Sequence, residues 1–188
     1  MLLNAERLIL RNFKDSDLES FLSYRNDPEV AKYQGWNIPY TRELGMKLVQ
    51  EMQHMHAPKQ GHWLQLAIEL KESGEMIGDL GCLINKEDAR QATIGFTLAQ
   101  SHWRRGYAVE AVSCLLEFLF GDLDLHRVVA DCDVENPGSW RTLEKLGFRR
   151  EAHFVENLLF KGAYASEYHY GLLQREWRAR KAGGEENV

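Results

Sequence analysis

Apolar residues recur with two different rhythms along the chain. Trp63–Leu70, Met76–Ile84 and residues 92–98 are short aliphatic-rich runs bounded by polar turn residues, which predicts three strands. Glu72-Ser73-Gly74-Glu75 has the composition of a hairpin turn between the first two, and residues 85–91 form a polar loop into the third. Elsewhere the spacing is helical. Leu18, Phe21, Leu22 and Arg25 follow the helix-start residues Asp15-Ser16-Asp17, and Leu44, Leu48 and Met52 mark one face of a helix from Thr41 to about His56. In the second half a helix from Tyr107 to about Phe120 carries Ala108, Ala111, Val112, Leu115 and Leu119 on one face, and a strand over 127–134 follows. Asn136 as N-cap, Pro137 at the first helical position and Gly147 as the stop define another helix, with Trp140, Leu143 and Leu146 turned inward. A short strand at Leu8–Arg11 opens the chain, and strand-like segments at about 148–156 and 164–173 close it. A hairpin sheet leading into strand–helix–strand–helix–strand predicts an α+β, or mixed α/β, domain.

Composition narrows the class of protein. The chain has 188 residues, the length of one domain, and no linker or repeat divides it. Residues 1–180 are read as a single domain, and 181–188, with little to bury, as a disordered tail. Hydrophobic residues at 44% exclude a disordered chain, and no apolar run reaches the ~18 residues of a membrane span. The N-terminus lacks the basic and apolar regions of a secretory signal. A net charge of −5 argues against a nucleic-acid partner bound by phosphate neutralisation. Cys82, Cys114 and Cys132 lie apart in apolar stretches and read as buried reduced thiols, as expected in the cytoplasm. Neither a membrane nor a nucleic acid is expected as a partner.

Two segments carry chemistry. In residues 98–111 a strand ends, a short basic turn with Arg104, Arg105 and Gly106 follows, and an amphipathic helix begins at once. Such a junction presents free N–H groups and the positive end of a helix dipole, which suits a phosphate or pyrophosphate. A plain turn with solvated arginines fits the same letters. No Gly-x-x-x-x-Gly-Lys-Ser/Thr or Gly-x-Gly-x-x-Gly occurs, so neither common nucleotide loop is present. In residues 136–148, Asn136, Ser139 and Leu143 share one helix face, and capping alone would also account for the first two.

Together these segments resemble the GNAT superfamily of acetyl-coenzyme A-dependent N-acetyltransferases, most closely the branch with the ribosomal-protein N-acetyltransferases RimJ and RimL. The family's Gln/Arg-x-x-Gly-x-Gly/Ala motif stands here as Trp103-Arg104-Arg105-Gly106-Tyr107-Ala108, with Trp103 in place of Gln or Arg. Its second motif stands as Asn136-x-x-Ser139 through Gly147-Phe148. Glu6-Arg7-Leu8-Ile9-Leu10-Arg11, Gly162, Glu167-Tyr168 and Glu176-Trp177 also resemble that branch, so the likeness spans residues 6–178.

The resemblance implies a mostly antiparallel sheet of about 6–7 strands flanked by helices, with one splayed parallel pair. It implies a coenzyme A pyrophosphate on Arg104, Arg105, Gly106, Tyr107, Ala108 and Val109 and a pantetheine arm paired with Phe96, Thr97 and Leu98. Asn136 and Ser139 then line its far end. A primary amine attacks the thioester directly in a ternary complex. The usual acid, a tyrosine seven residues after the asparagine, is replaced by Leu143, and Ser139 is the natural substitute. For the base, counting by twos from Phe148 puts Ala152, Phe154 and Glu156 on one face, and a carboxylate on an apolar face is a raised-pKa base. Glu151 and Glu167 are alternatives.

No metal is expected: His54 and His56 point apart on a helix and no third ligand is spaced to join them. Asp15, Asp17, Asp27 and Glu29 suit a cationic acceptor, such as a ribosomal-protein or other peptide N-terminus, a polyamine or an aminoglycoside; as solvated surface charges they would say nothing of it. Aromatics in the closing hairpin are compatible with a homodimer. Leu143 and Trp103 keep open an acyl-CoA sensor of the same fold without turnover, and a structural binder of phosphate esters is a third reading.

Overall fold

The structure, a computed structural model, describes residues 1–185. Eight strands form one sheet: β1 (Leu2–Asn4), β2 (Leu8–Arg11), β3 (Trp63–Leu70), β4 (Met76–Ile84), β5 (Gln91–Leu98), β6 (Arg127–Asp133), β7 (Arg149–Phe160) and β8 (Ala163–Leu173). They lie in the order β1-β2-β3-β4-β5-β6-β8-β7, antiparallel except at β5–β6. The strand beyond the expected six or seven is β1, three residues paired to β2 at the sheet edge and too short to carry a periodic signal.

Among the described residues six α-helices cover the sheet: α1 (Leu18–Arg25), α2 (Pro28–Ala31), α3 (Arg42–Gln53), α4 (Tyr107–Glu117), α5 (Pro137–Lys145) and α6 (Gln174–Glu185). Because side chains alternate across a strand, the sheet buries two separate cores. Leu8, Leu10, Leu66, Leu80, Ile94 and Leu98 pack with α4 and Leu143 on one face; Ala67 packs with Phe21, Tyr24, Val49 and Met52 of α1 and α3 on the other. No helix among the described residues is long and apolar enough to cross a membrane.

Two expectations need correcting. Of the expected face of α3, Met52 is buried and Leu48 partly so, but Leu44 is half exposed and Gly45 and Val49 take the inner positions. A Cβ at Gly45 would lie 2.9 Å from the Leu22 side chain, so the missing side chain is what brings α3 against α1. At the C-terminus α6 runs on to Glu185, so residues 181–185 of the expected tail are helical; 186–188 lie outside the described residues.

One irregularity positions the site. Strands β5 and β6 pair only at Gln91–Arg127, Ala92–Val128 and Thr93–Val129. Beyond these, β5 stays paired with β4 and β6 with β8, leaving an open wedge between residues 94–98 and 130–133.

Candidate active site

The wedge exposes main-chain groups on one side. The Gln91 carbonyl and the Ala99 N–H both bond towards β4. Alternation then turns the main chain of Phe96 and Leu98 into the wedge. Thr97 differs from its expected role: its backbone faces β4, opposite Asp79, and its side chain is buried. Trp103 ties the following turn to this strand, its indole N–H donating to the Leu98 carbonyl at 2.8 Å.

Past Trp103 the chain reverses through two left-handed residues, Arg104 (φ 59°) and Gly106 (φ 82°), and α4 starts directly on Gly106. No side chain caps this helix, and its first-turn N–H groups have no intrahelical acceptor. Arg104 and Arg105 are exposed beside them. The turn thus sets free N–H groups and two arginines at the positive end of an eleven-residue helix, an arrangement that suits an anion.

Arg7, from the other end of the domain, holds the cradle together. Its backbone N–H and Nε donate to the Glu110 carboxylate at 2.6 and 2.7 Å, and Nη1 donates to the Arg105 carbonyl at 3.1 Å. Its guanidinium also lies 4.5 Å from the centre of the Tyr107 ring. Glu110, one turn into α4, would otherwise oppose an anion; Arg7 neutralises it.

Across the wedge, Asn136 caps α5 as expected, its side chain accepting from the Ser139 N–H at 3.2 Å. Ser139 lies beside the Cys132 thiol on β6, next to the wedge. Burial first, offset in part by Ser139, pushes that thiol up to about 11, and burial pushes Cys82 up to about 12. Both stay protonated at neutral pH, so neither is an acyl-accepting nucleophile. Leu143 is fully buried and serves packing.

A cleft of about 690 Å³ opens beyond the end of β6, walled by Tyr33, Ile38, Asp133, Glu135, Glu156 and Tyr164 among others. Lys161 at the hairpin turn reaches across to the Ala31 carbonyl at 2.7 Å, joining the hairpin to α2.

The parity argument for Glu156 fails. Strand β7 slips register twice, at Arg150/Ala152 and Phe154/Leu158, and Glu156 sits in the second irregularity at φ 49° with its N–H on Ser166 Oγ. Its side chain is exposed on the cleft rim, not on an apolar face. Glu151 is bridged by Arg127 and Arg149; hydrogen bonding from Arg127 is the largest cause that brings it down to about 2, too acidic for a base at neutral pH. Glu167 accepts from Asn157 at 2.7 Å, opposite Asp133 on β6. Among the described residues no group of three His, Cys, Asp or Glu is placed to hold a metal.

The chain matches the family described as acetyltransferase (GNAT) domain over residues 7–149. It is 34% identical over 178 residues to the uncharacterized N-acetyltransferase p20 of Bacillus licheniformis, covering 93% of this chain and 97% of that one. It is 30% identical over 91 residues to the spermidine N(1)-acetyltransferase of Vibrio cholerae, covering 48% of this chain and 53% of that one. The crystal structure of a GNAT-family acetyltransferase from Bacillus anthracis superposes with a TM-score of 0.80 at 30% identity, covering 94% of this chain and all of that one.

Proposed function

The chain belongs to the GNAT acetyltransferase family, and on that premise we propose that it acetylates a primary amine by direct attack on acetyl-CoA in a ternary complex. The observation that carries this reading is the uncapped start of α4, reached through left-handed Arg104 and Gly106 and opening onto a wedge with free main-chain groups. A glycine cradle without a capping side chain fits a pyrophosphate, and the wedge fits an extended amide-bearing arm. Bound acetyl-CoA would supply the activated acyl group.

The chain's residues then divide the work. The amides of residues 106–109, with Arg104 and Arg105, hold the pyrophosphate, and the main chain of Phe96 with the Leu98 N–H aligns the arm, the Leu98 carbonyl being taken by Trp103. Asn136 fixes the first turn of α5, and Ser139 delivers a proton, directly or through water, to the departing sulfur. Asp133, Glu135 and Glu156 draw a cationic amine into the cleft. The spermidine specificity of one relative supports a polyamine acceptor, and the opening and closing segments that resemble the RimJ/RimL branch support a ribosomal-protein or other peptide N-terminus. Three free cysteines suit a reducing, cytoplasmic setting.

Thiol release from acetyl-CoA, measured with spermidine, an aminoglycoside and a short peptide bearing a free N-terminus, tests the reading. Release that depends on an amine supports it. Coenzyme A binding without release for any amine would leave a sensor of the same fold.

Two substitutions test the machinery. Ser139→Ala should lower kcat by ~10-fold or more while the KM for acetyl-CoA stays close to wild type, because the proton is needed only as the C–S bond breaks. An unchanged kcat would remove Ser139 from the chemistry. Arg7→Ala should weaken coenzyme A binding by ~10-fold, since a charge-assisted hydrogen bond contributes ~1.5–3 kcal/mol and Glu110 is left unneutralised beside the cradle. In the Glu110→Gln background the same change should cost less, a coupling that calorimetry of the four proteins would measure.

A further inference from the structure

A carboxylate–imidazole pair that the mechanism above does not use lies beside the wedge. Asp131 on β6 and His169 on β8 are direct cross-strand partners, and Asp131 Oδ1 is 3.0 Å from His169 Nδ1. The Phe154 ring of β7 packs edge-on against the imidazole, with centroids 4.6 Å apart and planes at 70°. The ring is therefore held by two contacts. About two-fifths of each side chain remains exposed, so the ring's far edge is accessible. Nothing else described bonds to Nε2.

The position follows from register. Thr93–Val129 is the last pair before β5 and β6 part, and Asp131 is the second residue beyond it. An arm held at residues 104–109 and aligned along Leu98 and Phe96 is led towards this same base of the wedge. Asp133, which walls the acceptor cleft, lies on the same strand face two residues further out, roughly 6–7 Å away. Asp131 and His169 thus lie between the cleft that admits the amine and the base of the wedge.

We propose that His169, oriented by Asp131, is the base that takes the proton from the acceptor amine. This assignment rests on the acetyltransferase reading above. An alkylammonium near pKa ~10 has no lone pair to attack with at neutral pH. An imidazole whose Nδ1 lies 3.0 Å from a carboxylate is set to present the lone pair of Nε2 to an incoming ammonium. His169 Nε2 takes one proton from the ammonium. The freed nitrogen lone pair forms the C–N bond as the C–S bond breaks and sulfur leaves with its electron pair. Of the two ammonium protons lost overall, one passes through His169 to solvent, and one is matched by the proton delivered at Ser139 to sulfur. No oxidant or further reactant is needed.

The charged neighbours fit the role. On this face β6 contributes Asp131 and Asp133, and β8 contributes Glu167 and His169, while β7 faces them with Ala152 and Phe154. Arg127 and Arg149 are engaged by Glu151 further down the sheet, and Arg150 of β7 by Glu144 and Tyr170. Burial, opposed by His169 and reinforced by Glu167, holds the Asp131 carboxyl above its ordinary value.

Two measurements test this. In the unliganded protein, nitrogen-detected NMR of the imidazole should show the Nδ1–H tautomer, and Asp131→Asn should abolish that preference. A wild-type ring in the Nε2–H form would overturn the assignment whether or not the protein turns over. In pH–rate profiles, His169→Gln should lower kcat at pH 7 by ~100-fold, within the usual range for a general base, and recover at high pH where free amine is plentiful. Its coenzyme A affinity should match wild type, while Glu156→Gln should instead raise the KM for the amine, most at low salt. An active wild type alongside a His169→Gln protein with the same kcat and pH profile overturns the base alone. A wild type that binds coenzyme A but acetylates no amine overturns the enzyme reading and this step with it.

Discussion

Gly106→Glu is expected to abolish coenzyme A binding while leaving the protein folded. The two effects separate because the glycine is confined by backbone angle and by its ligand, not by packing. A Cβ built at Gly106 meets only the end of the flexible Arg7 side chain, at 3.4 Å. Its φ of 82° is left-handed, which costs an L-residue roughly 1–2 kcal/mol. That much is tolerable, and Gly106→Ala should show it alone: a small loss of stability and a modest loss of affinity. Glutamate adds a carboxylate where the pyrophosphate must lie against the first-turn amides. Two unit charges 4 Å apart interact by about 4 kcal/mol at an effective dielectric of 20, nearly a thousand-fold in affinity. Calorimetric titration with coenzyme A, beside a thermal melt of each variant, measures both quantities. A folded Gly106→Glu protein with wild-type affinity would mean that the coenzyme binds elsewhere.

Local chemistry was readable in the sequence; contacts set by register and by distant segments were not. The three aliphatic-rich runs became β3, β4 and β5, and the strand–basic turn–helix junction at 98–111 appears where its residues predicted. Arg25 fell on the inner face of α1 by spacing, and it is 4% exposed. The sequence misled where counting met an irregularity. Two register slips in β7 broke the parity that singled out Glu156, and the close approach of α3 to α1 at Gly45 puts that glycine, not Leu44, on the inner face. Arg7 and Glu110 are 103 positions apart, and no local pattern joins them. The Asp131–His169 pair needs the β6–β8 register, and an acid and a histidine 38 positions apart carry no spacing signal.

Asp79→Ala is expected to cause a large loss of stability, and its first functional symptom should be at the acceptor. Asp79 is 3% exposed at the centre of a buried polar cluster between the sheet and α1. It accepts from the Tyr24 hydroxyl at 2.5 Å, from Gln65 at 3.2 Å and from Arg25 at 3.4 Å. Burial, with the Asp79 charge next, holds the Tyr24 hydroxyl well above its ordinary value, so it stays a donor. Among the described residues Arg25 has no other carboxylate; its guanidinium lies 4.4 Å from the Phe21 ring centre, 3.8 Å from Trp36 and 5.2 Å from Tyr40. Removing the aspartate leaves that cation unpaired among aromatic rings, and breaking a buried pair in this way costs ~3–5 kcal/mol. In a chain of this length each kcal/mol lowers Tm by roughly 2–4 °C, so a fall of about 10 °C is expected. Adding Arg25→Met should restore part of it, because the stranded charge goes too. The same cluster fixes the cleft wall: the Arg25 carbonyl accepts from the Trp36 indole at 2.9 Å, and Asn26 bonds both the N–H and the carbonyl of Tyr40. Tyr33 and Ile38, which line the cleft, are carried on that segment. The phosphate turn shares none of these bonds. Below its melting point, Asp79→Ala should therefore raise the KM for the amine several-fold while coenzyme A affinity holds. A variant within 1 kcal/mol of wild type by denaturant titration would mean that water reaches Arg25 and the pair is not buried in solution.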